Sequence, residues 1–235
     1  MEQKSAANLW TQLLFAVTGA LLVVCTYMAL IWAPTERTMG DIQRIFYFHA
    51  ASFWTSFVAF FLNGVGSIVY LARRKPYWDS FAASNAEVGV AFCSAGLIMG
   101  PLWAKPVWGV WWTWDARLTL TLLLWLLYVA YVMLRSFLPD SDRRATVAAV
   151  FGIFALVDVP LVYMANRWWR TQHPQQVIAG GEGSGLAPEM WMAVLTTWAA
   201  LLALMVCYLL MRIPLEEGRR KLELLRRRLR LEEPA

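Results

Sequence analysis

WTQLLFAVTGALLVVCTYMALIWA, from Trp10 to Ala33, runs for 24 residues without a single charge. A helix needs about 20 apolar residues to cross the hydrocarbon of a bilayer. This run meets that length, and no small-residue cleavage site follows it, so it reads as a first span rather than a cleaved signal peptide. Five more runs lie downstream. Ile45–Ala72 carries only His49 as a group that could be charged. Val88–Trp103 extends inward over Ala82–Glu87. Leu118–Leu134 is unbroken. Ala145–Ala165 is interrupted by Asp158 and Pro160. Met190–Met211 is the sixth.

The whole chain agrees with this reading. Its 235 residues are 59% hydrophobic and 16% charged, where a soluble domain carries about 25% charged residues. The expected fold is an all-α integral membrane protein with six transmembrane helices. Short connections make neighbouring helices antiparallel. Long unbroken apolar runs exclude a β-barrel, whose strands alternate in short segments. No internal repeat is visible, so residues 1–212 form one transmembrane unit, and residues 213–235 form a basic amphipathic tail. Cys25, Cys93 and Cys207 all fall inside apolar runs with no Cys-x-x-Cys pair. That excludes a disulfide framework, a thiol redox motif and a covalent haem attachment site.

Basic residues set the orientation. Fifteen of the 21 Lys and Arg fall on one side of a six-span arrangement and six on the other. The compact Arg73–Lys75 cluster and the tail carry most of that difference. The positive-inside rule then places both termini in the cytoplasm. The net charge of +5 is explained by this distribution, and no nucleic-acid partner is implied. The tail segment LEEGRRKLELLRRRLRLEE (Leu215–Glu233) pairs acidic with basic residues four apart. It suits either an anionic lipid surface or the nucleotide-hydrolysing side of a transporter.

Three loops then face outward, about Pro34–Phe48, Trp103–Ala116 and Asn166–Pro188. The only two histidines, His49 and His173, fall on that side. So does a cluster of five tryptophans within twelve residues, Trp103, Trp108, Trp111, Trp112 and Trp114, followed by Asp115 and Arg117. One reading is an aromatic belt at headgroup level. The other is a ledge for a large, flat, apolar ligand, formed if Trp108, Trp111, Trp112 and Asp115 share one helical face. The density of indoles favours the ledge. Two imidazoles are too few for a closed zinc or copper site. They are the two axial donors that an iron already held by a porphyrin lacks. Arg117, Arg167 and Arg170 either pair propionates or anchor the interface. Asp158 is a carboxylate inside a span, which is costly and often functional. Pro160 kinks the helix there and opens a polar gap. A bond from Asp158 to a neighbouring helix is the plainer reading.

WGVWWTWDARLT (Trp108–Thr119) resembles the tryptophan-rich signature of the haem-handling proteins of cytochrome c maturation. RIFYFHAASFW (Arg44–Trp54) and VPLVYMANRWWRTQH (Val159–His173) are similar to the two histidine segments of the haem exporter protein C (CcmC) family. Larger CcsA-type relatives share the motif but have more helices and histidines. The resemblance implies haem binding on the periplasmic side of the bacterial inner membrane. It implies delivery of haem b to the chaperone CcmE, with CcmA, CcmB and CcmD as partners, and no conventional enzymatic activity. It puts His49 and His173 at the axial-ligand positions and Trp108–Asp115 in the haem-facing loop. Two positions depart from the pattern. Ala50-Ala51 stand where Val-Pro is expected, and Asp158 stands in place of a neutral polar residue. A b-type electron-transfer protein and a transporter carrying haem across the bilayer are the competing readings.

Overall fold

Each of the six apolar runs folds into a helix long enough to cross a membrane. The computed structural model describes residues 2–138, 141–173 and 185–232. The middle of the predicted loop Asn166–Pro188 and the last three residues of the predicted tail lie outside it. Among the described residues there is no strand. The first span is α1 (Glu2–Tyr27), which closes in a π-helical turn, Met28–Trp32. A short 3₁₀ turn, Asp41–Arg44, leads into α2 (Ile45–Arg73). Arg44 reaches back from that turn and donates to the carbonyls of Ala29 and Ala33. It thereby satisfies helix-end acceptors of the first span that would otherwise be orphaned.

α3 (Pro76–Trp108) follows α2 after a tight reversal. Arg74 takes the left-handed conformation there, at φ 54°, and Pro76 starts the new helix without needing an N–H partner. The two helices pack closely because glycines face aromatic rings. A Cβ on Gly89 would meet the ring of Phe60, and one on Gly96 the ring of Phe53, both under 3 Å. α2 is the central helix, packed on α3, on α5 (Ser141–Leu156) and on α7 (Pro188–Glu232). α1 lies at the edge against α7. Val23 and Trp10 on α1 are 71% and 72% exposed, as suits a face turned to lipid.

α4 (Ala116–Phe137) turns a narrow stripe inward. Thr121, Leu124, Tyr128, Tyr131 and Arg135 are buried at alternating spacings of three and four. Tyr128 stacks on Phe60 of α2, with ring centroids 3.7 Å apart. The fifth span is broken where the sequence predicts it. α5 ends at Leu156 and α6 (Asp158–Trp168) begins two residues later. Pro160 has no N–H to give the carbonyl four residues back, and Val157 instead bonds Phe154 in a tighter turn. Asp158 is buried at this break, and neither carboxylate oxygen has a hydrogen-bond partner.

The helix that carries the sixth span runs on past Met211 into the tail. α7 continues as one helix from Pro188 to Glu232, through Pro214. Side chains on both sides of that proline fasten it to the bundle. Arg135 donates to Asp79 at 2.6 and 3.1 Å and to Glu216 at 3.2 Å. Arg144 donates to Glu223, and Arg220 to Asp142. Arg212 makes a two-pronged pair with Glu87. The predicted amphipathic segment is thus bound, along its first half, to the ends of α3, α4 and α5.

Candidate functional site: a histidine-flanked cavity

The opposite end of the bundle, where α2, α4 and α7 begin, holds a cavity of about 680 Å³. That is within the usual range for a small-molecule or cofactor pocket. His49, in the second turn of α2, lines one wall. Its Nδ1 lies 3.0 Å from the carbonyl oxygen of Gly96 on α3. A carbonyl can only accept, so Nδ1 carries the proton and Nε2 keeps a lone pair for a ligand. Gly96 and Gly100, four apart on α3, make this fit possible. A Cβ on Gly100 would come within 3.2 Å of His49 Cε1.

His173 comes from the segment after α6, and its ring faces that of His49. The two centroids are 6.4 Å apart and the planes differ by 24°. Trp108 meets His173 edge-on at 6.3 Å, and Trp103 meets Trp108 edge-on at 5.1 Å. The two histidines and the tryptophans, scattered over 125 residues of sequence, therefore share one pocket.

The tryptophan loop is not the single helical ledge that the spacing suggests. α3 reaches Trp108 and stops there. Gly109 adopts φ 77° and its N–H caps the carbonyl of Lys105, the usual glycine stop. Residues 109–115 are then irregular until Asp115 caps α4. One carboxylate oxygen of Asp115 accepts the N–H of Leu118, and the other accepts the Thr113 hydroxyl and the N–H of Gln172. Asp115 therefore ties the start of α4 to the residue beside His173. It acts as a brace for that histidine segment.

The loop's indoles divide between two places. Trp103, Trp108, Trp111 and Trp112 line the histidine cavity, whereas Trp114 does not. Trp114 faces an adjoining groove on the outside of α3 and α4. Among the three arginines singled out from sequence, Arg117 lines the cavity. Its Nη1 is buried without a partner. Arg167 and Arg170 are exposed on α6 and just beyond it, away from the lining. Asp158 is also absent from the lining.

The structure adds residues that the sequence reading missed. Phe53 and Phe57, one and two turns below His49, line the pocket. The cavity thus runs about 12 Å along α2 from His49, deeper than a surface ledge. Its lip is the turn between the first two spans, from which Glu36 and Arg37 join the lining. That turn closes with Gly40 at φ 61°. The Glu36 carboxylate accepts the N–H groups of Met39 and Thr38. Those donors, Met39 foremost, hold it below the usual carboxylate range. No local periodicity marks these lip residues, because only tertiary folding brings them to the pocket.

The fold and this pocket together define a multi-pass membrane protein with paired imidazoles in an indole-walled cavity at one end of its helices. The chain belongs to the Heme exporter protein C family, CcmC, whose profile matches residues 2–228. It is 30% identical to a protein named Heme exporter protein C in Bradyrhizobium diazoefficiens, over 92% of this chain and 80% of that one. It is also 30% identical to the protein of that name in Haemophilus influenzae, over 86% of this chain and 83% of the relative.

Proposed function

We propose that this protein takes up haem b in the His49–His173 cavity and hands it to the haem chaperone CcmE during maturation of c-type cytochromes. The observation that carries this reading is the pair of imidazoles brought together in one cavity. A metal–imidazole bond is about 2 Å long, so two rings on opposite sides of one metal have centroids about 6 Å apart. The ring centroids here are 6.4 Å apart, the separation such a pair requires, and His49 presents Nε2 in the neutral tautomer. The cavity's volume and its aromatic walls suit a flat macrocycle.

Each part of the site then has a distinct task. The indoles and Phe53 bury the porphyrin faces. His49 and His173 are the axial donors. The unpartnered Nη1 of Arg117 meets one propionate, since guanidinium matches carboxylate geometry. The polar lip of Glu36 and Arg37 leaves an approach for a water-soluble partner. Transfer requires the partner to replace one imidazole at a time, while the aromatic walls keep the macrocycle from escaping into water.

In this reading the bundle spans the bacterial inner membrane with the histidine end on the periplasmic side. Arg73, Arg74, Lys75 and the basic tail sit at the other end, which the positive-inside rule assigns to the cytoplasm. CcmB and CcmD are then neighbours within the membrane. The ion-paired tail is the element nearest to CcmA.

Absorption spectroscopy of the purified protein tests the assignment. The wild type is expected to show a Soret band of six-coordinate haem. His49→Ala and His173→Ala, each eluting as folded protein, should lose or shift it. Unchanged spectra in both variants overturn axial ligation.

A further inference from the structure

The divided tryptophan loop points to a second binding position. Beside the histidine cavity, on the outer face of α3 and α4, lies an open groove of about 630 Å³, nearly the volume of the cavity itself. Its walls are Ile98, Trp114, Leu122 and Trp125, together with Leu97 and Trp112. Leu97 and Trp112 also line the cavity. One indole and one leucine side chain are therefore common to both chambers, a partition one side chain thick.

Three features give this partition meaning. First, the groove is turned away from the bundle interior: Ile98 is 65% exposed and Trp114 is 76% exposed. In a span, that surface meets lipid. Second, the groove is dry in character. Trp125 donates its indole N–H to Ser94 at 2.8 Å, so those polar groups satisfy each other. Third, Trp112 is held only loosely by polar contacts. Its Nε1 is buried without an acceptor, and Trp114 rests edge-on against it at 5.9 Å. An orphaned indole donor inside an apolar wall costs free energy. Nothing polar therefore locks Trp112 in place.

We propose that this groove is a vestibule in which a metalloporphyrin dissolved in the bilayer binds first, and that it enters the histidine cavity sideways past Trp112 and Leu97. This rests on the haem reading of the cavity. A porphyrin is flat and mostly apolar, so it partitions into lipid. An apolar groove reached from lipid is its lowest-cost approach. The aqueous lip, with Glu36 and Arg37, is the costlier way in for the macrocycle and the better way out toward a soluble partner. Trp114 then has a task that the cavity does not give it: stacking the incoming ring before Trp112 yields.

Full-length protein in phosphatidylcholine nanodiscs provides the test. Hemin is supplied either predissolved in the disc lipid or from haem–albumin in the buffer, and Soret growth is followed by stopped flow. Ile98→Trp and Leu122→Trp fill the groove from residues that do not line the cavity. Both should slow loading from lipid about tenfold while leaving the final amplitude and the albumin route unchanged. Trp112→Ala should speed loading from lipid. An unchanged lipid-phase rate in both filling variants overturns the vestibule and fits a groove covered by lipid chains or a partner helix. Equal slowing from both sources overturns it too. A wild type that acquires no Soret band from either source removes the haem reading itself, and the vestibule with it.

Discussion

Two arginines on one helix teach opposite lessons. Arg135, in the last turn of α4, is 8% exposed and sits among carboxylates: Asp79 takes two of its N–H groups and Glu216 a third. Arg117, in the first turn of the same helix, keeps a buried Nη1 with no partner and lines the cavity. A cation is favoured at a helix C-terminus and disfavoured at the N-terminus. Arg135 gains from the backbone, and Arg117 is placed against it with Asp115 as a counter-charge. A half-buried cation in an unfavourable position, with one buried donor unspent, is the arrangement expected where an anionic group arrives from outside. At the ion-pair end every buried cation among the described residues has a carboxylate of the chain beside it. At the histidine end the proposed ligand would supply the missing counter-charge.

The largest effect is expected at the complete end. Arg135→Ala leaves buried Asp79 and Glu216 with only the longer 3.7 Å contacts to Arg220 and Arg212, and breaking a buried pair in this way costs about 3–5 kcal/mol. Thermal unfolding in detergent should show this as a large loss of Tm. Replacing Arg135 and Asp79 together by apolar residues should recover much of it. If the single variant is as stable as the wild type, the contrast between the two ends fails.

Arg117→Gln should behave in the opposite way. It removes a charge-assisted hydrogen bond to the ligand, worth about 2 kcal/mol, so haem affinity should fall about 30-fold. Tm of the ligand-free protein should hold or rise, because a half-buried cation with an unpartnered donor has been removed. Titration with hemin and a melting curve on the same sample separate the two arginines cleanly.

What was legible in the sequence follows the same division. Span number, the break at Asp158–Pro160 and the gathering of His49, His173 and the tryptophans at one end all come from hydrophobic period and alternation of sides. Those are local signals. The shape of the tryptophan loop was also signalled: Gly109 is a helix stop and Asp115 a helix start. Helical spacing of the indoles masked both. Gly96 and Gly100 are a small-residue pair at helix-packing distance and could have shown where α2 and His49 come close. The joining of the tail to Asp79, Glu87 and Arg144 was not legible. It depends on pairs of residues 78 to 141 apart in sequence, for which no local pattern exists.

Asp115 links the two histidine-end segments and gives a smaller prediction. Asp115→Ala removes the α4 cap, at a cost of about 1 kcal/mol, and frees Gln172 beside His173. Asp115→Asn keeps an acceptor for the cap but weakens the hold on the Gln172 N–H. The alanine variant should lose both some stability and some haem. The asparagine variant should lose haem binding with less change in Tm. Equal haem content in both and in the wild type would mean that the brace does not position His173.

The smallest effect is the most discriminating, because stability and binding should move in opposite directions. Gly100 lies inside α3, where glycine is worse than alanine by about 1 kcal/mol. Its added Cβ would meet only His49, at 3.2 Å from Cε1 and 3.8 Å from Nδ1. That contact is tight enough to push the ring by a few tenths of an ångström and to strain its bond to Gly96. Gly100→Ala should therefore leave Tm unchanged or slightly raised, while the Soret maximum shifts and hemin affinity drops about threefold. A helix that gains stability while its facing imidazole loses its ligand would show that Gly100 makes room for the site at some expense to the fold. A variant whose binding and stability rise together would show that the 3.2 Å approach does not constrain His49.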